Sequence, residues 1–181
     1  MSFSFKVWWY LINRAYKIAI SRIQAALIPT YLPIELKINH ENFHNGFWKI
    51  PEYATIGSAG FDLLAAIDTP LTIEPFETHI ISSGLSIWIK DPNFVLLIHP
   101  RSGVGCKRGL ILGNTIPVID SDYQGELKLC LTNRTLNPIT VNPGEYIAQG
   151  LIILKVEAIF NVVSEFSNST TRGDKGFGHS K

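Results

Sequence analysis

The chain predicts an all-β fold, a jelly-roll-like β-barrel, on three observations. From Pro33 to the end of the 181-residue chain the sequence falls into short runs rich in Ile, Val, Leu, Thr and aromatic residues, side chains that suit a pleated, half-buried surface. Gly, Pro, Asn and Asp punctuate those runs at close intervals, as turns require. No internal repeat and no linker divides this stretch, so the strands belong to one body. Many short strands with close turns favour a barrel or jelly roll over a parallel α/β sheet.

Taken in order, the expected strands are bounded by their turn residues. Residues 34–38 follow Pro33, 60–65 begin at Gly60, and 72–73 sit between Pro70 and Pro75. Residues 79–82 and 85–89 flank Gly84, and 94–99 lie between Pro92 and Pro100. Residues 111–112 precede Gly113, and 115–116 fall between Asn114 and Pro117. The run 125–133 begins at Gly125, 139–141 follow Pro138, 146–155 follow Pro143 and Gly144, and 158–163 close the series. A single helical turn is expected near Ser102, where Ser and Gly follow a strand and Cys106, Lys107 and Arg108 carry it toward Gly109.

Three regions are expected: an extension over 1–32, a β-barrel body over 33–165 and a C-terminal tail over 166–181. The extension carries Lys6, Arg14, Lys17 and Arg22 among Trp8, Trp9, Leu11, Ile12, Ile18, Ile20 and Ile23, with no acid before Glu35. Lys6, Asn13, Lys17, Ser21 and Gln24 recur near helical spacing, giving a basic stripe on an apolar, amphipathic helix. Such a segment docks on its own protein as a helix, lies on a membrane surface, or is a stretch upstream of the true translation start. Its charges interrupt the apolar run too early for a transmembrane span.

Composition narrows the function classes. Apolar residues make up 46% and charged residues 17%, a globular balance with a formal charge of +1. That balance argues against a surface built to track nucleic acid, which rests on many Lys and Arg contacts to phosphate. It leaves a small anionic ligand open. Two cysteines, Cys106 and Cys130, suit a reducing, cytoplasmic setting better than a disulfide framework.

Five segments carry chemistry. In Ser58-Ala59-Gly60-Phe61-Asp62, an acid stands within an apolar run and must be paired, solvated or near a metal. In Pro100-Arg101-Ser102-Gly103-Val104-Gly105, a cation, a hydroxyl and two glycines follow an apolar strand; Arg presents a planar fork to phosphoryl oxygens, and backbone N–H groups can meet a second phosphate. The same residues also make an ordinary turn. The stretch from Gly113 through Asn114, Val118, Ile119, Asp120, Asp122 and Tyr123 to Lys128 reads as strand, turn, strand. A hairpin with two acids and a Tyr at its tip can form a pocket in which an Asn amide is available to read a base edge and a carboxylate is available to orient and deprotonate water. Its plainer reading is a polar turn whose acids cap backbone N–H groups. Pro143-Gly144-Glu145-Tyr146-Ile147-Ala148-Gln149 is a turn entering a strand, with Gln149 a phosphate donor or a backbone partner. The glycine-rich tail Thr171-Arg172-Gly173-Asp174-Lys175-Gly176-Phe177-Gly178-His179-Ser180 can close over a nucleotide or remain a terminal coil.

In this order the five segments resemble the five motifs of the trimeric dUTPase family, over about residues 33–181 and closest to bacterial members. The resemblance implies hydrolysis of dUTP to dUMP and pyrophosphate by a homotrimer whose sites are built from more than one subunit. By position it makes Asp120 the carboxylate that activates water, Tyr123 the aromatic against deoxyribose, and Asn114 with the backbone of Val118 and Ile119 the uracil reader. Arg101, Ser102, Gly103 and Gln149 match phosphate contacts, and Lys128 a further contact on the second hairpin strand. Arg172 and Phe177, with Gly178, His179 and Ser180, match the closing tail. Asp62 matches a supporting acid. Mg²⁺ is expected as cofactor, held mainly by the triphosphate and water rather than by a protein cage.

Three positions depart from the family pattern: Pro117 and Lys175 where Gly is usual, and Gly150 where a larger apolar residue is usual. The competing readings are a dCTP deaminase on the same fold, a nucleotide sensor without turnover, and a form tethered to membrane by its extension.

Overall fold

The computed structural model describes residues 31–176 together with Asn13 and Tyr16. The expected amphipathic helix lies outside the described residues except at Asn13 and Tyr16, which are helical. The body is all-β, with ten strands: β1 (Glu35–Ile38), β2 (Phe61–Leu64), β3 (Leu71–Ile73), β4 (Thr78–Trp88), β5 (Phe94–Pro100), β6 (Leu110–Leu112), β7 (Val118–Ile119), β8 (Glu126–Asn133), β9 (Ile139–Val141) and β10 (Tyr146–Leu154). They form two four-stranded sheets, β1-β4-β8-β6 and β2-β10-β5-β7, and a small sheet β3-β9. Every pairing is antiparallel.

Alternation makes these strands two-faced. Along β8, Leu127, Leu129 and Leu131 are buried while Lys128 is exposed, as the two-residue strand period dictates. Those leucines share one apolar cluster with Leu63, Leu96 and Ile98 of the other sheet and Ile81, Leu85 and Ile87 of β4. Asn133 continues the buried face of β8 and is fully satisfied there. Its Nδ2 donates to the Ile73 carbonyl at 3.0 Å and the Asn137 carbonyl at 2.8 Å. Its Oδ1 accepts from the Thr135 backbone N–H at 2.9 Å and hydroxyl at 2.8 Å. Asn133→Ala orphans these buried groups and is expected to destabilise the fold by about 3 kcal/mol. Urea unfolding checks this; a loss under about 1 kcal/mol means the network is dispensable.

Several expectations are corrected. The runs 79–82 and 85–89 are one strand, β4, whose register shifts between Ser82 and Ser86 around Gly84. Gly84 has φ 69°, and a Cβ there would meet the Ala66 Cβ at 2.8 Å, so only glycine lets the bulge close against its neighbours. Residues 115–116 are no strand: Thr115 turns with φ 65°, and pairing starts later, at β7. Residues 158–163 form no strand in the single chain either. Ile159, Phe160 and Val162 are almost wholly exposed; a strand needs a ladder partner, and no described strand pairs with them.

A short helix, α1 (Glu41–His44), was not expected. His40 caps it by accepting the Asn42 backbone N–H at Nδ1, and Phe43 packs edge-on to Trp48. His is not among the usual capping residues, so the sequence carried little start signal. The turn after Ser102 is a six-residue π-helical turn, Gly103–Arg108, closed by Gly109 at φ 75°.

Phe61 explains the glycine at 150. The two residues are register partners on β2 and β10, and a Cβ on Gly150 would come within 2.7 Å of the Phe61 ring. The ring fills the space that a side chain at 150 would need. Gly150→Met is therefore expected to destabilise by about 1–3 kcal/mol through overpacking, and Phe61→Leu in the same chain to recover most of that loss. Thermal melts of the two single variants and the double variant test the coupling; additive losses sink it.

Candidate active site

β10 and the two strands flanking it, β2 and β5, form the floor of a cleft of about 740 Å³. Gln149 of β10 lies opposite Asp62 of β2 on one side and His99 of β5 on the other, so the three side chains share one face of the sheet and form a row across the cleft floor. Arg101, just past the end of β5, closes the row. Its Nε contacts Asp62 Oδ1 at 2.8 Å, its Nη1 donates to the Tyr146 carbonyl at 3.3 Å, and its guanidinium lies 5.5 Å from the Tyr146 ring centre. These contacts fix the fork while leaving it partly exposed. Gln149 donates to the Pro100 carbonyl at 3.1 Å. Gly60 lets β2 approach β10: a Cβ there would meet the Gly150 carbonyl oxygen at 3.0 Å.

Ser102 lines the cleft and is exposed, and Gly103 beside it opens the π-helical turn with free space around its α-carbon. This places a hydroxyl and exposed backbone next to the Arg101 fork, an arrangement suited to phosphate oxygens. Arg134, which sequence reasoning missed, also lines the cleft and donates to the Gly105 carbonyl at 3.2 Å. His99 was missed as well. Strand alternation from Arg101 was the signal, since residues two apart on a strand share a face.

The hairpin expectation is corrected by the sheet topology. Val118 and Ile119 pair with Leu97 and Leu96 of β5, whereas β8 pairs with β4 and β6. The segment from Gly113 to Gly125 is thus a corner between two sheets. Its turns are tightly specified. The Tyr123 N–H donates to the Asp120 carbonyl at 3.1 Å, and the Tyr123 hydroxyl to the Glu126 carbonyl at 3.1 Å. A Cβ on Gly125 would strike the Tyr123 hydroxyl at 2.3 Å, so glycine lets the ring lie over the turn. Asn114, Val118, Asp120 and Tyr123 are exposed, as is Lys128 on β8; Ile119 is half-buried. Asp120 has no side-chain hydrogen bond or ion pair among the described residues. Pro117 is tolerated because its carbonyl, not its missing N–H, serves the ladder, accepting from the Ile98 N–H at 3.0 Å.

One chain does not bring all predicted residues together. By the β5–β7 register Asp120 falls opposite Val95, six positions from Arg101, or ~20 Å at the strand rise. None of the corner residues named above lines the cleft. In the tail, Arg172 Nε donates to the Lys175 carbonyl at 3.1 Å in an exposed turn away from the cleft. Phe177, Gly178, His179 and Ser180 lie outside the described residues. Among the described residues no three His, Cys, Asp or Glu side chains gather as a metal cage, and no helix is long and apolar enough to cross a membrane.

Comparison with known proteins gives this arrangement a family. The chain is 50% identical over 147 residues to the deoxyuridine 5'-triphosphate nucleotidohydrolase of Idiomarina loihiensis, covering 81% of this chain and 96% of that one. It superposes on the Staphylococcus bacteriophage 80alpha dUTPase, solved with dUPNHPP, with a TM-score of 0.73 and 25% identity, over 83% of this chain and 99% of that one. A dUTPase from phage phi11 of S. aureus, described with a structural Mg(II) ion, shares the fold at a TM-score of 0.66 and 22% identity, over 75% of this chain and 99% of that one. With the dUTPase family model matching residues 47–181, this chain belongs to the dUTPase family.

Proposed function

We propose that this protein hydrolyses dUTP to dUMP and pyrophosphate, keeping uracil out of DNA and supplying dUMP for thymidylate synthesis. The observation that carries the reading is the Arg101 fork, held by Asp62 and the Tyr146 carbonyl beside Ser102 and Gly103. Arg101, Ser102, Gly103 and Gln149 bind the phosphate chain, and Asp62 orients Arg101. Asp120 takes a proton from water as its oxygen bonds to phosphorus and the bridge between the α- and β-phosphates breaks; pyrophosphate leaves. Tyr123 packs against deoxyribose. Asn114 and the backbone of Val118 and Ile119 read uracil, and Lys128 adds a contact from β8. Arg172, Phe177, Gly178, His179 and Ser180 close the tail, residues 166–181, over the bound nucleotide. Mg²⁺, held mainly by the triphosphate and water rather than by a protein cage, would supply charge neutralisation to the phosphate chain that Arg101, Ser102 and Gln149 hold.

The site is completed by a second copy of the chain in a homotrimer with a jelly-roll-like body over residues 33–165. The ~20 Å between Asp120 and Arg101 supports this, since both must reach one phosphate chain. So does the exposed apolar run around Ile159, Phe160 and Val162, a surface that isolated chains rarely leave open. The free thiols of Cys106 and Cys130 fit a cytoplasmic setting.

Pyrophosphate release from dUTP, dCTP, dTTP and UTP with Mg²⁺, alongside light scattering of the eluted protein, tests both statements. Selective dUTP turnover by a trimer is expected. Ammonia released from dCTP instead identifies a deaminase, and tight dUTP binding without turnover identifies a sensor.

A further inference from the structure

On the cleft floor, the His99 side chain takes no part in the proposed mechanism. On β5, Leu96 and Ile98 point into the core and are fully buried, so His99 shares the opposite face with Arg101. His99 stands in the row with Gln149 and Asp62 and lines the same cleft. Its neighbours are committed: Asp62 to Arg101, Gln149 to the Pro100 carbonyl, Arg134 to the Gly105 carbonyl. The half-buried His99 ring makes no hydrogen bond, ion pair or ring contact with any described residue. An imidazole left without a partner between satisfied groups, facing an open cleft, has its N–H available to a ligand.

The charge balance of the cleft says which ligand. Arg101 is partly offset by Asp62, and the remaining lining carboxylate, Glu52, is exposed at the rim. Of the Arg and His side chains lining the cleft, Arg134 and His99 are then the ones with no acid in contact. A polyphosphate needs several such donors, and an imidazole supplies at least one N–H in either protonation state. We propose that His99 binds the phosphate chain of the substrate by donating a hydrogen bond to a phosphoryl oxygen, an inference that rests on the dUTP reading. It is a binding residue on the floor of the cleft and takes no part in activating water.

Kinetics of the full chain with His99→Leu and His99→Gln test this, using dUTP as substrate and pyrophosphate and deoxyuridine as competitive inhibitors. His99→Leu is expected to raise the KM for dUTP and the Ki for pyrophosphate about tenfold, the scale of one charge-assisted hydrogen bond. Its Ki for deoxyuridine, which has no phosphate, stays within about twofold, and His99→Gln, which keeps an N–H, recovers most of the loss. Unchanged dUTP and pyrophosphate constants overturn the assignment; so does an equal rise for deoxyuridine, which marks a structural role. In the wild-type protein, pyrophosphate is expected to shift the His99 imidazole resonances, assigned with His99→Gln; no shift at saturation overturns the assignment without relying on a variant's stability. A wild-type protein that does not turn over dUTP defeats the functional reading, whereas turnover with an unperturbed His99→Leu defeats only this inference.

Discussion

Asp120→Asn is expected to lower kcat for dUTP by about 10²–10⁴-fold, the range a positioned general base contributes. The thermal midpoint is expected to stay where it is. Asp120 is exposed, and its side chain has no partner among the described residues, so the fold loses nothing when its charge goes. What the corner uses is the backbone carbonyl of residue 120, which holds the Tyr123 N–H and survives the substitution. Single-turnover hydrolysis with a melting curve separates the two effects. A variant that retains more than a tenth of wild-type kcat removes Asp120 from the base role; one that melts early makes it a turn residue instead.

The second large effect is at Arg101. On the proposed reading, Arg101→Ala removes the phosphate fork and frees the Asp62 carboxylate, which would then face the polyanion without its partner. A fall of about 10²–10³ in kcat/KM is expected, comparable with losing one preorganised donor to a charged centre. Arg101→Lys is expected to restore little. A point charge cannot meet Asp62, the Tyr146 carbonyl and a phosphate with one rigid plane. The charge argument makes a sharper claim. Asp62→Asn added to Arg101→Ala is expected to recover part of the loss, because the repelling carboxylate is neutralised. If the double variant is as poor as the product of the two single losses, Asp62 acts independently of Arg101.

Some of this was written in local patterns and some was not. The buried face of β8 was legible because Leu127, Leu129 and Leu131 repeat every second residue. The break before Gly84 was legible, but its meaning was not. A glycine between two apolar runs reads as a turn, and only the contacts with Ala66, His40 and Phe43 make it a bulge within one strand. The partners of β7 and β8 could not be read at all, since which strands pair is a long-range property; proximity along the chain suggested a hairpin where the sheets make a corner. In the site, Arg101, Ser102 and Gln149 stood out by residue type and motif, and the cleft unites them with Asp62. Arg134 and His99 carried no motif and enter through strand pairing and cleft shape. Gly150 departs from the family pattern for a reason the sequence does not show, since the Phe61 ring against it is a contact across strands.

The placement of Asp120 and Arg101 at opposite ends of β5 has a hereditary side. A strand is stiff, and its length is set by the core it crosses, so selection has no short route to draw the two ends into one chain's site. If each site is completed across copies, a cell carrying one allele damaged at Asp120 and another damaged at Arg101 assembles some sites from the sound half of each. Two damaged copies of either kind alone give none. Inheritance at this locus then follows the assembly, not the single polypeptide.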